Sequence, residues 1–271
     1  MIPQKNEINF EGACIMFQDE FNAVCNAGKA KVNLLKNNPL GYFVASIVAG
    51  IFIAFGGIVM CTAGGALSGL QIAKLVAAMV FAVALSLVVM AGAELFTGNN
   101  LVMTAASLNK TVSWGETIKL WVVCYLGNWV GSLIAAFLFH LTKLPADGSA
   151  VGTYMANATA AKMNGEFLPL FVKAIFCNIL VCLAVWCCTK MKTESGKLIM
   201  IFWCIFVFVY CGFEHSIANM SIMAGGLLDP GEAAASISIG GYFYNLGVVT
   251  LGNMVGGASV ALAYYTISKK K

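Results

Sequence analysis

Arginine is absent from this 271-residue chain, so all 16 of its basic residues are lysines. Arginine supplies the planar fork that pairs with phosphates and guanine edges, and its absence argues against a nucleic-acid-binding protein. Charge of either sign is scarce, because 10% of the residues are charged and 60% are hydrophobic. A soluble domain has about 25% charged residues, and a chain with so few polar residues cannot cover its own surface. We therefore predict a membrane protein whose remaining surface faces lipid.

Histidine is also rare, with two residues in the chain, whereas cysteine occurs ten times. Most of the cysteines lie in apolar runs, where cysteine behaves as a small buried hydrophobe. None of them shows the spacing to histidine that is typical of a metal site. We predict neither a metal nor a cofactor. A membrane redox enzyme, which needs paired histidines or clustered ligands, is the less favoured alternative.

Six apolar stretches are long enough to cross a bilayer, which requires about 20 residues each. They cover residues 42–63, 75–108, 118–142, 167–189, 198–228 and 241–267. The N-terminal segment, 1–41, contains an amphipathic pattern from about residue 11 to 36, which predicts a helix at the membrane interface before Pro39. Residues 268–271 form a lysine tail. The sequence predicts an all-α membrane protein with one six-span domain at 42–267.

Lysine placement predicts the orientation of this domain. With six spans, both termini lie on one side, and twelve lysines fall on that side against three on the other: Lys74, Lys143 and Lys162. Cytoplasmic loops carry the excess of lysine, so we predict that both termini are cytoplasmic and that the protein is a multi-pass protein of the plasma membrane. The polar residues 1–9 predict insertion without a cleavable signal peptide.

The second and fifth apolar stretches are too long for one span, and each is interrupted by a similar sequence. GAELFTGN at 92–99 aligns with GFEHSIAN at 212–219, and LGNWVGS at 126–132 aligns with LGNMVGG at 251–257. In the first pair the shared residues are Gly92, Glu94 and Asn99, matched by Gly212, Glu214 and Asn219. Two matches in the same order predict that 42–142 is repeated as 167–267, and three spans in each half make the repeat inverted. Corresponding broken helices are typical of a solute pathway.

The interruptions contain ionisable residues at membrane depth, where charge is costly. We interpret Glu94 and Glu214 mainly as structural residues that accept hydrogen bonds from backbone N–H groups freed by the break; an ion or proton path is the alternative. His215 takes the place of the apolar Leu95 of the other half, so the repeat does not require it. Imidazole titrates near neutral pH, which makes His215 a candidate proton shuttle; a core histidine bonded to backbone is the alternative.

Other polar and small residues recur in the two halves. The asparagines are equally compatible with lining a path and with bridging helices: Asn99, Asn128, Asn219 and Asn253. The small-xxx-small glycines predict close helix packing: Gly127, Gly131, Gly252 and Gly256. Lys162 lies on the side opposite the termini, where a cation can attract anions. Lys173, just inside the fourth stretch, is interpreted as a side chain that snorkels to the interface.

Three segments carry a family resemblance. GAELFTGN at 92–99, CNILVCLAVW at 177–186 and GFEHSIANM at 212–220 resemble the signatures of the formate/nitrite transporter family, and the resemblance extends from about residue 12 to 267. It implies an aquaporin-like protomer, a homopentamer with one pore per protomer, and small monovalent anions as substrates. Within the family the chain most resembles the hydrosulfide channels of anaerobic clostridia. Hydrosulfide (HS⁻) is therefore the expected solute, with formate or nitrite as the alternative.

The resemblance also implies roles for individual residues. It places Thr97, His215 and Asn253 at a central site, with Glu214 beside the histidine. It places Lys162 in an anion-attracting vestibule and assigns apolar constrictions to four residues: Phe81, Leu85, Leu95 and Phe208. Two mechanisms remain open, because a bare anion is costly in an apolar slit. Either His215 exchanges a proton so that the solute crosses neutral, or the anion passes between Thr97, Asn253 and a protonated His215 without proton transfer.

Overall fold

A computed structural model describes residues 16–269, and this part of the chain is helical and contains no β-strand. Its α-helices, in chain order, are α1 (Gln18–Asn37), α2 (Pro39–Ala66), α3 (Ala73–Phe81), α4 (Val83–Leu87), α5 (Phe96–Leu108), α6 (Trp114–Leu141), α7 (Ala150–Met163), α8 (Phe167–Lys190), α9 (Glu194–Tyr210), α10 (Ser216–Leu228) and α11 (Ile239–Ile267). A π-helix at Val88–Gly92 extends α4, and a 3₁₀-helix at Gly231–Ser236 follows α10. The predicted all-α class is confirmed.

Five helical segments of the described chain are long and apolar enough to cross a membrane: Pro39–Ala66, Ala73–Gly92, Trp114–Leu141, Phe167–Lys190 and Ile239–Ile267. Each begins or ends near the boundaries predicted from the sequence. The fifth predicted stretch, 198–228, forms two shorter helices on either side of its interruption, α9 with 17 residues and α10 with 13. Residues 11–15 of the predicted amphipathic segment, and 270–271 of the lysine tail, lie outside the described residues.

Both interruptions begin at a glycine with a left-handed backbone. Gly92 has a φ of 84° and Gly212 a φ of 71°, a conformation that costs other residues about 1–2 kcal/mol. The chain is non-helical at 93–95 and 213–215, and it returns to helix at Phe96 and Ser216. Glu94 and Glu214 therefore lie in the non-helical segments themselves.

Helix α1 is amphipathic, and its apolar side contacts α5. Its buried residues recur every three or four positions and include Phe21, Val24, Val32 and Leu35. Gly28 allows the closest approach, since a Cβ atom there would lie 2.7 Å from the Cβ of Ala106. The helix consequently lies beside the first interruption.

The small-xxx-small glycines lie where helices pack most closely, as predicted. A Cβ atom at Gly131 of α6 would overlap the carbonyl oxygen of Ile47 in α2. Likewise, a Cβ atom at Gly256 of α11 would overlap the carbonyl oxygen of Ile175 in α8. Gly247, also in α11, has no heavy atom within 4 Å of such a Cβ position. The α2–α6 and α8–α11 contacts thus depend on glycine at specific positions.

We predict that Gly256→Ala destabilises the protein, because the added methyl overlaps backbone that cannot rotate away; overpacking of this kind costs about 1–3 kcal/mol. Gly247→Ala is the matched control, and we expect it to be neutral or stabilising by up to about 1 kcal/mol, since alanine favours helix over glycine. Thermal unfolding of both variants in the same detergent measures the difference. Equal melting temperatures would show that close packing at Gly256 is dispensable.

Candidate functional site

One asparagine side chain satisfies the backbone at the first interruption. The Asn128 amide donates to the carbonyl oxygen of Ser46 at 2.7 Å and to that of Glu94 at 2.8 Å, and its oxygen accepts from the N–H of Phe96 at 2.9 Å. The N–H of Glu94 donates to the carbonyl of Ala45 at 3.2 Å. Asn128 is fully buried. The helix can therefore stop and restart without leaving these backbone groups unpaired.

The second interruption repeats this arrangement with Asn253. Its amide donates to the carbonyl oxygens of Ala174 at 2.8 Å and Glu214 at 2.9 Å, and its oxygen accepts from the N–H of Ser216 at 2.9 Å. The N–H of Glu214 donates to the carbonyl of Lys173 at 3.4 Å. All the hydrogen bonds of the Asn253 side chain in the described structure are thus made to backbone around the break. For Asn128 and Asn253, the alternative left open is answered here in favour of bridging.

The glutamates of the interruptions pair with lysines instead of with backbone. Lys31 of α1 contacts Glu94 at 2.5 Å, and Lys162 of α7 contacts Glu214 at 2.9 Å. The interpretation that these carboxylates accept freed backbone N–H groups is corrected, because Asn128 and Asn253 already hold that backbone. In a poorly hydrated setting a carboxylate needs a cation close by, and each lysine supplies one.

An asparagine five residues further along the chain donates a hydrogen bond to each of these glutamates. The Asn99 amide donates to Glu94 at 3.0 Å, and the Asn219 amide donates to Glu214 at 2.6 Å. Sequence reasoning found Lys162 but missed Lys31, which was considered only for orientation. The signal that could have indicated Lys31 is the second half of the chain, where Lys162 pairs with Glu214: by analogy, Glu94 also needs a lysine partner.

Thr97 and His215 meet between the two interruptions. The Thr97 hydroxyl oxygen lies 2.9 Å from Nε2 of His215, and both side chains are buried. Nδ1 of His215 accepts a hydrogen bond from the N–H of Ala218 at 3.1 Å, at the start of α10. Because Nδ1 is an acceptor, the neutral ring carries its proton on Nε2. This N–H donates a hydrogen bond to the hydroxyl oxygen of Thr97. The threonine hydroxyl hydrogen is then free to point at another acceptor.

Apolar side chains bound this pair on two sides. Phe81 and Phe208 meet edge to face with ring centroids 5.9 Å apart, and Phe208 stacks on the His215 ring at 5.9 Å. These two phenylalanines line a cavity together with Lys162 and His215. All of these contacts lie on the α7 side of the histidine.

Leucines occupy the other side. Leu85 and Leu95, both buried, line a cavity that also contains Lys31 and Glu94. The cavity with the phenylalanines thus contains Lys162 and Glu214, and the cavity with the leucines contains Lys31 and Glu94. Of the three predicted central residues, the structure brings Thr97 and His215 together, whereas the Asn253 side chain is directed to the backbone of the break.

Comparison with known proteins shows to which family a chain with this arrangement belongs. Residues 18–267 match the sequence model of the family described as "Formate/nitrite transporter". The nitrite transporter NirC of Escherichia coli K12 is 37% identical over 261 residues, which cover 94% of this chain and 94% of that protein. The chain belongs to the formate/nitrite transporter family. Members of this family are transporters and channels in membranes, so the protein is a membrane transport protein and not an enzyme.

Solved structures of the formate/nitrite transporter family have the same fold. An "FNT family ion channel" superimposes with a TM-score of 0.87 at 33% identity, covering 93% of this chain and all of that one. A "pentameric formate channel with formate bound" gives a TM-score of 0.73 at 29% identity, covering 83% of this chain and 95% of that one. The family resemblance expected from the sequence is confirmed.

We predict that Asn253→Leu strongly destabilises the protein, because it leaves the Glu214 carbonyl and the Ser216 N–H without their partner, at about 1–3 kcal/mol each. The matched control is Asn100→Leu. Asn100 is equally buried, but both of its side-chain polar atoms lack a hydrogen-bond partner within the described residues. Replacing it should leave stability unchanged or raise it. Thermal unfolding compares the two variants, and similar melting points for both would contradict the bracing role of Asn253.

Proposed function

We propose that residues 42–267 form a six-span protomer of aquaporin-like shape, in which 42–142 and 167–267 are inverted repeats and the second and fifth spans are broken. The matched hydrogen bonds of Asn128 and Asn253 support the repeat. Lysine distribution supports cytoplasmic termini, with the N-terminal segment 1–41 and the tail 268–271 on that side, in the plasma membrane. Similarity to a pentameric channel supports a homopentamer.

The protomer is a channel for small monovalent anions of weak acids. The observation that carries this proposal is the buried Thr97–His215 contact at 2.9 Å, enclosed by apolar side chains and flanked by two lysine–glutamate pairs. Lys162 would attract anions to the α7-side vestibule. Phe81, Phe208, Leu85 and Leu95 would exclude hydrated ions, because they offer no partner to replace water. Six residues hold the broken segments that bring Thr97 and His215 together: Gly92, Glu94, Asn99, Gly212, Glu214 and Asn219.

Hydrogen bonding from Thr97 is the proposed central step. Nε2 of His215 donates to the threonine oxygen, which orients the threonine O–H as a donor to the passing solute. Nδ1 is engaged by the N–H of Ala218, so the ring has no free nitrogen to take up a second proton while this bond is made. The solute's own titration, rather than proton exchange at His215, then sets how much crosses the apolar slits in neutral form. The remainder crosses as the anion, hydrogen-bonded to Thr97, and carries current.

Hydrosulfide is the anion proposed from the sequence. The second candidates are nitrite and formate, which are favoured by the relatives: the printed names of a similar transporter and a similar channel specify nitrite and formate for those proteins. All three are small monovalent anions of weak acids, and they differ in size, shape and acidity. A site consisting of one hydroxyl donor between apolar slits accommodates each of them.

Flux measurements in proteoliposomes, with HS⁻, nitrite and formate in parallel, test the proposal. We expect all three to cross faster than in protein-free liposomes, with hydrosulfide the fastest. Chloride should be the slowest, because it is the anion of a strong acid and has no neutral form to cross the apolar slits. Faster nitrite or formate flux would replace hydrosulfide as the solute. Absence of flux for all three, from protein that is folded by thermal melting, would refute the channel function.

Substitution of the central pair tests the mechanism. Thr97→Val should lower flux by at least roughly tenfold, since a hydrogen bond to a charged group contributes about 1.5–3 kcal/mol, whereas Thr97→Ser keeps the hydroxyl and should retain most of the flux. His215→Asn should lower flux but leave its pH dependence unchanged. Loss of the pH dependence in His215→Asn would instead establish proton exchange at the histidine.

A further inference from the structure

The two vestibules differ in charge. The vestibule on the α7 side is lined by three lysines and two glutamates: Lys74, Lys162, Lys173, Glu166 and Glu214. The vestibule on the α1 side is lined by one of each, Lys31 and Glu94. Three positive charges less two negative charges leave +1 on the α7 side, and one of each leaves zero on the α1 side. This count covers the described residues that line the two cavities.

Lys173 is the lysine of this vestibule that has neither an ion pair nor an aromatic contact among the described residues. Lys162 is paired with Glu214 at 2.9 Å, and the Lys74 ammonium lies 5.4 Å from the centre of the Tyr210 ring. Lys173 is exposed and, among residues 16–269, forms no ion pair or side-chain hydrogen bond. Lys173 is among the residues that line the α7-side vestibule, and the interpretation that its side chain snorkels to the interface stays a prediction.

The position of Lys173 has a counterpart in the other half of the chain. The carbonyl of Lys173 accepts the N–H of Glu214, and the carbonyl of Ala45 accepts the N–H of Glu94. Both residues line the vestibule on their own side. The residue at this position is therefore a lysine in the α7-side vestibule and an alanine in the α1-side vestibule. The backbone arrangement does not require this difference, because it is made with alanine equally well.

We propose that Lys173 captures anions in the α7-side vestibule and makes conduction asymmetric. The inference rests on the proposed anion-channel function. Under a strong driving voltage, anion current is limited by capture at the mouth that the anions enter. One net charge at about 8 Å in water raises the local anion concentration roughly twofold at low ionic strength. Anion current that starts from the α7 side should therefore exceed current that starts from the α1 side.

Salt distinguishes this effect from a structural asymmetry of the pore. The Debye length is about 30 Å at 0.01 M salt and about 3 Å at 1 M. Capture by Lys173 must therefore weaken as an impermeant salt is added, whereas asymmetry due to unequal apolar slits would persist. Glu166, which is exposed on the same vestibule, acts in the opposite sense. Its neutralisation should increase the asymmetry.

Formate currents in excised patches of giant spheroplasts test the proposal, because biosynthesis fixes the orientation of the channel in such patches. With about 10 mM formate on both faces, the ratio of the two currents at opposite voltages of about 150 mV should be roughly two in favour of the α7 side. Lys173→Gln should reduce the ratio to about one, Lys173→Arg should preserve it, and Glu166→Gln should raise it. Added impermeant salt should abolish it in the unmodified protein.

Transfer of the lysine provides the decisive variant. In Lys173→Gln combined with Ala45→Lys, the excess charge moves to the α1 side, and the ratio should invert. An unchanged ratio in Lys173→Gln, or no inversion in the double variant, would overturn the role of Lys173. Absence of current for formate, nitrite and hydrosulfide in the unmodified protein would also overturn this inference, whereas absence of flux in proteoliposomes as well would refute the proposed channel function.

Discussion

Every feature of the candidate pathway depends on how the broken helices satisfy their backbone. A bilayer offers no water to the N–H and C=O groups that a helix releases when it stops, and each unsatisfied group costs several kcal/mol. Asn128 and Asn253 each hold one carbonyl and one N–H of a break, and each also donates to a carbonyl of the neighbouring helix. The N–H groups they accept belong to Phe96 and Ser216, which are sequence neighbours of Thr97 and His215. The same hydrogen bonds that make the interruptions possible therefore position the central pair.

Helix packing and backbone bridging are one requirement in this fold. An asparagine side chain is short, so its amide reaches a carbonyl on the next helix only if the two helices lie unusually close. Gly131 and Gly256 follow the asparagines by three residues, and each faces a carbonyl of the neighbouring helix across the α2–α6 or α8–α11 contact. A side chain at either glycine would separate the helices and withdraw the asparagine from its carbonyl. The asparagine and the glycine therefore work as a unit, which explains why they recur together in LGNWVGS and LGNMVGG.

The sequence predicted the helical class, the family and the two interruptions, because these depend on composition and on short patterns within the chain. It also predicted close packing at the glycines. It gave the wrong partners for Glu94 and Glu214, because their lysines lie 63 and 52 residues away. These lysines come from α1 and α7, which lie outside the matched segments, so no internal alignment points to them. The role of the asparagines stayed open for the same reason, since an amide that bridges helices and one that faces a solute have the same local sequence.

Differences between the two halves mark the residues that folding does not explain. Leu95 precedes α5 and makes no side-chain cap, whereas His215 precedes α10 and caps it by accepting the N–H of Ala218. Serine, aspartate or asparagine would cap this helix as well, so capping alone does not select histidine. The imidazole ring differs from these residues in having a second nitrogen on its far side, and that nitrogen reaches Thr97. The contact with Thr97 is therefore what histidine provides beyond capping, and this contact lies at the centre of the proposed solute pathway.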